Sequence, residues 1–432
     1  MLIRKIEQVL TDWKKNKKNE CLLVKGARQI GKTFIIDKFG RESYKKYLYI
    51  NFVENPELSA IFEGSLEAEE IYKKMSVFFK NIELIPGDTL IFIDEIQECP
   101  KARTALKFLA LDNKYDIIAS GSLLGINYKE ITSVPVGYET QVEMHSLDFE
   151  EFLWAAGINK NTIDNIKEYF FSLEKIPESI NTQMMKYLRE YITIGGMPAV
   201  VNRYLESNNF SEVHNEQEKI LNGFMDDISK YASMTEKPKA RNCYLSIPRQ
   251  LAKENKKFQF SVVEKGATAR KYANSLEWLR DANLIRFCRN VSTPSFPLAA
   301  YERDDQYKIY LNDIGLLCAM YGFEIKKEII NNTLKGQAKG GIYENFIADI
   351  LMKKNIKLNY YKDDNSSQEI EFLINRDGAV VPIEVKAGKG STVSLNNLLL
   401  NPDIKIGYKL ISGNIGQNEK KITLPLYMAM FL

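Results

Sequence analysis

The sequence predicts an α/β protein: a parallel sheet in its first third, a helical middle, and a second α/β portion at its end. Three observations carry that prediction. Residues 20–37 hold a glycine-rich strand-to-helix turn, residues 90–95 an apolar strand ending in two acids, and residues 368–386 an alternating acidic hairpin. Strand-like runs that alternate with helical ones are what a helix-covered parallel sheet requires, and ligands of such sheets lie at the carboxyl ends of the strands.

Residues 20–37 read ECLLVKGARQIGKTFIID. Leu22, Leu23 and Val24 form a short apolar strand that Gly26 ends, and Gly31, Lys32 and Thr33 open a helix. This is the G-x-x-x-x-G-K-T spacing with a strand before it and a helix after it. The glycines let the backbone curl until the N–H groups of Gly26, Ala27, Arg28, Gln29, Ile30, Gly31, Lys32 and Thr33 point inward at phosphate oxygens. The helix N-terminus adds partial positive charge. Lys32 reaches the β- and γ-phosphates and Thr33 offers its hydroxyl to Mg²⁺. A nucleotide-binding P-loop is the expectation.

The first domain spans residues 1–145. Ile6, Val9, Leu10 and Trp13 recur at helical spacing, a strand is expected at 47–52, and helical pattern runs to about residue 80 before the Pro86-Gly87-Asp88 turn. The strand Leu90-Ile91-Phe92-Ile93 then ends in Asp94 and Glu95. An acid at the end of a buried strand beside the P-loop holds Mg²⁺ and its waters, the role expected of Asp94. Glu95 is placed to orient or deprotonate an attacking water. A further strand over 115–120 ends in Ser120, either a γ-phosphate sensor or a plain strand-end serine.

Residues 146–234 read as a helical lid, capped at Ser146 or Asp148 and carrying a Phe149/Phe152/Leu153 stripe. The turn Gly195-Gly196-Met197-Pro198 either sets Pro198 against an adenine ring or simply breaks a helix. From 235 to 290 there are thirteen Lys/Arg and five Asp/Glu, a local charge of +8 in a chain whose total is +3. Within it, residues 258–287 read as short helix, turn, helix and strand. Tyr272, Leu276 and Leu279 share one face, and Arg270, Lys271 and Asn274 crowd the other. With 284–287 and 307–311 paired as a wing, residues 235–325 have the plan of a winged helix-turn-helix whose second helix contacts DNA.

The last domain spans residues 335–432. A helix at 341–351 carries Glu344, and a strand at 358–361 follows. Residues 368–374 alternate, Asn375-Arg376-Asp377-Gly378 is a hairpin turn, and the return strand ends Glu384-Val385-Lys386. Period two puts Glu384 and Lys386 on one face, and Glu371 lies beside Glu384 across the hairpin. Two acids and a lysine on adjacent strands can hold Mg²⁺ and position a water for phosphodiester attack. The apolar tail, 424–432, reads as a last strand.

Composition excludes several classes. A net charge of +3 rules out a polycation, so any nucleic-acid surface is local. Five scattered cysteines and two histidines fit reduced thiols, with neither a disulfide framework nor a zinc centre. No apolar run is long enough to span a membrane, so a cytoplasmic location and no membrane partner are expected.

Across nearly its whole length the chain resembles a bacterial and archaeal family of AAA-type ATPases with a C-terminal restriction-endonuclease-like domain. The resemblance rests on GARQIGKT (26–33), LIFIDEIQ (90–97), ASGS around Ser120, DFEEFL (148–153), GGMP (195–198), YENF (343–346) and the run from QEIEF to PIEVKAG. It implies ATP binding, with hydrolysis, and a PD-(D/E)xK nuclease core with Glu344, Glu371, Glu384 and Lys386 in the motif positions. The strand acid of that core is usually Asp and is Glu371 here, which speaks against cleavage. Three functions follow as expectations: an ATP-dependent switch that binds DNA, an ATP-gated Mg²⁺ nuclease, or a protein-interaction switch without nucleic acid. A homo-oligomer is compatible with each, and no arginine can be named as one acting across subunits.

Overall fold

The computed structural model describes residues 2–80, 82–122, 137–365, 368–387 and 392–432. Gly388, the last residue of PIEVKAG, lies outside them. The chain forms two compact units, one built from Ile3–Ser146 with Asp281–Asn283, the other from Leu147–Arg280 and Leu284–Leu432.

The first unit holds a five-stranded parallel sheet of β1 (Cys21–Lys25), β2 (Lys46–Asn51), β3 (Thr89–Asp94), β4 (Asp116–Gly121) and β5 (Glu139–Glu143), in the order β2-β3-β4-β1-β5. β3 and β4 are buried at every position, as apolar central strands covered on both faces must be. Ile91, Ile93, Ile117 and Ala119 pack with Ile71, Met75, Leu106 and Leu109 from the helices Ala68–Phe78 and Pro100–Asp112. Because β1 lies beside β4 and β4 beside β3, the turn after β1 and the ends of β3 and β4 meet at one edge. β5 escapes sequence reading: its residues Glu-Thr-Gln-Val-Glu show no apolar run, because an edge strand buries little. A buried Arg103–Glu139 ion pair ties it to the helix Pro100–Asp112.

The second unit begins with helices. Asp148 caps the helix Phe149–Ala155: its side chain accepts from Glu151 N at 2.8 Å while Glu151 Oε2 accepts from Asp148 N at 3.1 Å, a capping box that settles the Ser146/Asp148 choice. Helices Lys160–Ser172, Glu178–Ile194, Pro198–Ser207, Phe210–Tyr231 and Lys237–Leu251 follow.

An eight-stranded mixed sheet completes this unit. Its strands are β6 (Ile285–Val291), β7 (Glu302–Leu311), β8 (Asn359–Lys362), β9 (Glu369–Arg376), β10 (Ala379–Lys386), β11 (Gly407–Ile411), β12 (Gly416–Asn418) and β13 (Lys421–Pro425), ordered β12-β13-β11-β10-β9-β8-β6-β7. Here the structure departs from expectation. The helix pair Phe260–Val263 and Ala269–Asp281 is present, and β6 and β7 do form an antiparallel hairpin. That hairpin is no free wing, however. β6 also pairs in parallel with β8 through Arg289↔Asn359 and Val291↔Tyr361, and Val291 shares a core with Ile370, Leu373 and Leu395. The segments expected as a separate winged helix (235–325) and a separate terminal domain (335–432) therefore share one sheet. The apolar tail also differs: after β13 the chain turns into a 3₁₀ helix, Leu426–Phe431, with no further strand. Among the described residues no helix is long and apolar enough to cross a membrane.

Candidate functional site

The P-loop leaves β1 at Gly26, whose φ of 154° and closeness to Met144 O, 2.2 Å from where a Cβ would stand, admit only glycine. Gln29 (φ 64°) and Gly31 (φ 90°) complete the curl, and the helix Lys32–Ser43 starts at once. Its first turn carries no acid of its own. Lys32 is 6% exposed, and its Nζ donates to Gly26 O (3.0 Å) and Ala27 O (2.7 Å). Burial pulls its pKa down to about 8, against the opposing pull of Glu95 and Asp94. Lys32 is thus charged at neutral pH, beside the curl of the loop.

Asp94, at the end of β3, accepts from Thr33 Oγ1 at 2.7 Å, Tyr49 OH at 3.2 Å, Glu95 N at 3.0 Å and Ser120 Oγ. Four donors fix both carboxylate oxygens, and the Thr33–Asp94 contact brackets the position where Mg²⁺ would sit. The donor set fits: hard oxygens only, leaving the remaining coordination to phosphate and water. Ser120 is fully buried and bonded to Asp94, so it orients that acid from within the sheet. Glu95 stands in a left-handed conformation (φ 50°), which turns its side chain out of the strand direction, and it accepts from Gln97 Nε2 and from Ser122 Oγ at 3.4 Å. Tyr49 escaped sequence reading because its place follows from the β2–β3 register, Asn51↔Asp94, which no local pattern encodes. Gln97 stood within the LIFIDEIQ motif but had no role until its contact with Glu95 was seen.

Pro198 starts the helix Pro198–Ser207 as its first residue. The two glycines before it are explained inside their own unit. A Cβ on Gly195 would stand 2.2 Å from Asp313 Oδ1 and one on Gly196 2.0 Å from Leu147 O, while Gly196 N donates to Asp313 Oδ2 at 2.8 Å.

The acidic hairpin is registered so that Phe372 pairs with Ile383, which places Glu371 next to Glu384. Lys386 Nζ lies 2.9 Å from Glu371 Oε1 and 3.5 Å from Glu384 Oε1, and Val385 N donates to Glu371 Oε2 at 3.2 Å. Burial pushes Glu371 upward, and burial with Glu371 as neighbour pushes Glu384 up to about 7 against the pull of Lys386. Glu344 comes from the helix Gln337–Lys353 and is held by Lys256 Nζ at 2.6 Å, Tyr310 OH at 3.2 Å and Lys308 Nζ at 3.6 Å. Burial acts upward on Glu344, but the two lysines outweigh it and keep the carboxyl below its ordinary range. Glu369 adjoins the set, 2.7 Å from Lys308 and 2.8 Å from Lys362.

Four carboxylates are therefore matched by four ammonium groups in one partly buried network. Among the described residues no group of three or more His, Cys, Asp or Glu side chains is arranged to hold a metal. At the place where Mg²⁺ is expected, Lys386 supplies a counter-charge that Glu371 and Glu384 share. Lys256 and Lys308 lie 88 and 36 positions from Glu344 in sequence, so no local signal announced them.

On the helix Ala269–Asp281, Arg270, Lys271 and Asn274 are exposed while Tyr272, Ser275, Leu276 and Leu279 are buried, the two faces that the periodicity gave. Lys271 makes a surface ion pair with Glu264 at 3.0 Å, a contact weak enough to exchange for a phosphate.

Residues 18–153 match the family model of the AAA domain, and together with the P-loop and Asp94 geometry this makes the first unit an AAA-type ATPase domain. Residues 185–327 match a domain of unknown function, DUF8612, and residues 339–427 another, DUF4143. The uncharacterized protein MJ1544 of Methanocaldococcus jannaschii is 25% identical over 375 residues, covering 82% of this chain and 72% of that protein. Among solved structures, the Walker-type ATPase PABY2304 of Pyrococcus abyssi aligns at 15% identity and a TM-score of 0.42, over 74% of this chain and 96% of its own. The Orc1 protein of Aeropyrum pernix, solved in complex with DNA, aligns at 13% identity and a TM-score of 0.28, over 77% of this chain and 93% of its own.

Proposed function

We propose that this chain is an ATP-hydrolysing switch that engages DNA through the exposed basic face of Arg270, Lys271 and Asn274 and carries a nuclease-like core that does not cut. One observation carries the nucleotide half: Thr33 and Asp94 are locked together at 2.7 Å beside the buried Lys32. In this reading the loop amides from Gly26 to Thr33 and the Lys32 ammonium hold the phosphates, and Thr33 and Asp94 hold the metal. Mg²⁺ supplies charge neutralisation at the phosphates when bound. Glu95, oriented by Gln97 and Ser122, takes the proton of the attacking water.

The DNA half rests on the +8 segment and on the outward turn of its three polar residues. Replacing Arg270 and Lys271 together by Ala is expected to weaken duplex binding across sequences and to lower the salt slope by about two units. Fluorescence anisotropy at several salt concentrations measures both. Binding that ignores salt, or that survives the double change, removes DNA from the assignment.

A second reading, an ATP-gated nuclease, has one observation in its favour: Glu384 Oε2 is buried without a hydrogen-bond partner. Incubation of labelled single- and double-stranded DNA with Mn²⁺, with and without ATP, separates the two. The lysine-neutralised network predicts no nicking by the wild-type protein, and Lys386→Ala should leave ATPase activity unchanged. Mn²⁺-dependent nicking that Lys386→Ala abolishes would establish the nuclease instead.

A further inference from the structure

A cleft of about 700 Å³ runs between the helices Phe210–Tyr231 and Lys237–Leu251 in the second unit, away from every residue assigned above. Its walls are two helical stripes. Leu221 and Met225, four positions apart, come from the first helix, and Arg241, Leu245 and Arg249, again at intervals of four, come from the second. Met320 adds apolar surface, and Tyr321 braces the second wall by donating to Pro248 O at 2.7 Å.

Three features call for an occupant. Leu245 is 44% exposed in the middle of the cleft although it is a large apolar side chain. Arg241 and Arg249 flank it, and neither guanidinium has an ion-pair partner among the described residues. Pro248 sits inside its helix and has no N–H, so the carbonyl of Tyr244, on the same wall, lacks its i+4 donor. The acid on the opposite wall, Glu218, lies 3.4 Å from His214 Nε2 at the far side of its own helix turn.

The spacing selects the kind of ligand. Eight helical positions separate the two arginines, about 12 Å along the axis, so one small anion cannot meet both. Phosphate-tracking surfaces draw their affinity from basic groups, whereas here an exposed leucine stands between the two arginines. Two facing helical stripes with a groove between them match the mode in which a partner helix lays its apolar face into a groove. The geometry points to a docking site for an amphipathic helical segment of a partner protein, with apolar residues on Leu221, Met225 and Leu245 and two carboxylates about two turns apart on Arg241 and Arg249.

The test uses the full chain and a fluorescein-labelled synthetic helix of about 16 residues, long enough to cover both arginines. It carries Leu at i, i+3 and i+4, bracketed by two Glu. Anisotropy should show saturable binding. Arg241→Glu with Arg249→Glu should weaken it about tenfold or more, and Leu245→Asp should do the same. A peptide with Lys in place of the two Glu should regain affinity for the charge-reversed protein. All three residues are on the surface, so circular dichroism and ATPase activity should be unchanged in the variants. The proposal is overturned by no binding, by equal binding of a scrambled peptide, or by a charge reversal that abolishes duplex DNA binding and spares the peptide. The peptide anisotropy itself depends neither on nucleotide nor on the basic face of the helix Ala269–Asp281.

Discussion

Lys32→Ala is expected to lower ATP affinity by about 10²–10⁴-fold. In the proposed site its ammonium would make charge-assisted contacts to two phosphates, each worth about 1.5–3 kcal/mol, in a place where water cannot substitute freely. The side chain is already buried and held by the loop's own carbonyls, so little ordering is required on binding. Isothermal calorimetry with a non-hydrolysable analogue measures the loss directly, and unchanged affinity would falsify the nucleotide assignment. Glu95→Gln separates binding from chemistry. It keeps the size and the hydrogen-bonding reach of the side chain but cannot accept a proton, so affinity should persist while turnover falls by about 10²–10⁴-fold. Wild-type turnover in Glu95→Gln would assign the water to another group. Asp94→Asn should act on the metal-dependent part of binding, because it removes the negative charge from the pair that Thr33 closes.

The P-loop geometry was legible because its parts are contiguous. Eight residues of loop, a strand before and a helix after fix the backbone path locally, and the acids of β3 follow from an apolar run that stops abruptly. The hairpin register was legible for the same reason: the turn lies within the expected stretch 375–378, narrowed to Asp377-Gly378, and leaves one way to pair β9 with β10. What was lost is long-range. β5 is polar at an edge. The helix Gln337–Lys353 is buried along twelve successive residues, so it has no wet face and shows no amphipathic stripe to mark where its turns point. β6 looked like part of an independent wing because nothing in Ile285–Val291 tells that its other side meets β8, some seventy positions on. The counter-charges of Glu344 were hidden in the same way, since an ion pair between Lys256 and Glu344 exists only once the sheet has assembled.

That network leads to the second large effect, the loss of Lys308. This residue is 1% exposed on β7, lies 2.7 Å from Glu369 and 3.6 Å from Glu344, and sits 4.8 Å from the centre of the Tyr360 ring. Lys308→Met keeps the length and the apolar stem but removes the charge, leaving two carboxylates in a buried site with too few cations. Removing one partner of a buried pair costs about 3–5 kcal/mol, far above the contribution of surface pairs. The pH dependence follows from Glu369. Burial pushes its carboxyl upward, but Lys308 and then Lys362 overcome this and hold it at about 2, below its unfolded value of 4.5. A depressed carboxyl contributes stability that is full above the unfolded pKa and disappears as pH falls through the folded one. Wild-type protein should therefore lose this contribution between about pH 4.5 and 2, whereas Lys308→Met should lack most of it already at pH 7. Urea denaturation at pH 7 and at pH 4 is expected to show a gap between the two proteins that narrows on acidification. Glu369→Gln in the Lys308→Met background should recover part of the loss at pH 7, because it removes one of the stranded charges. A gap that stays constant with pH would mean that Lys308 acts through packing on Tyr360 and not through its charge.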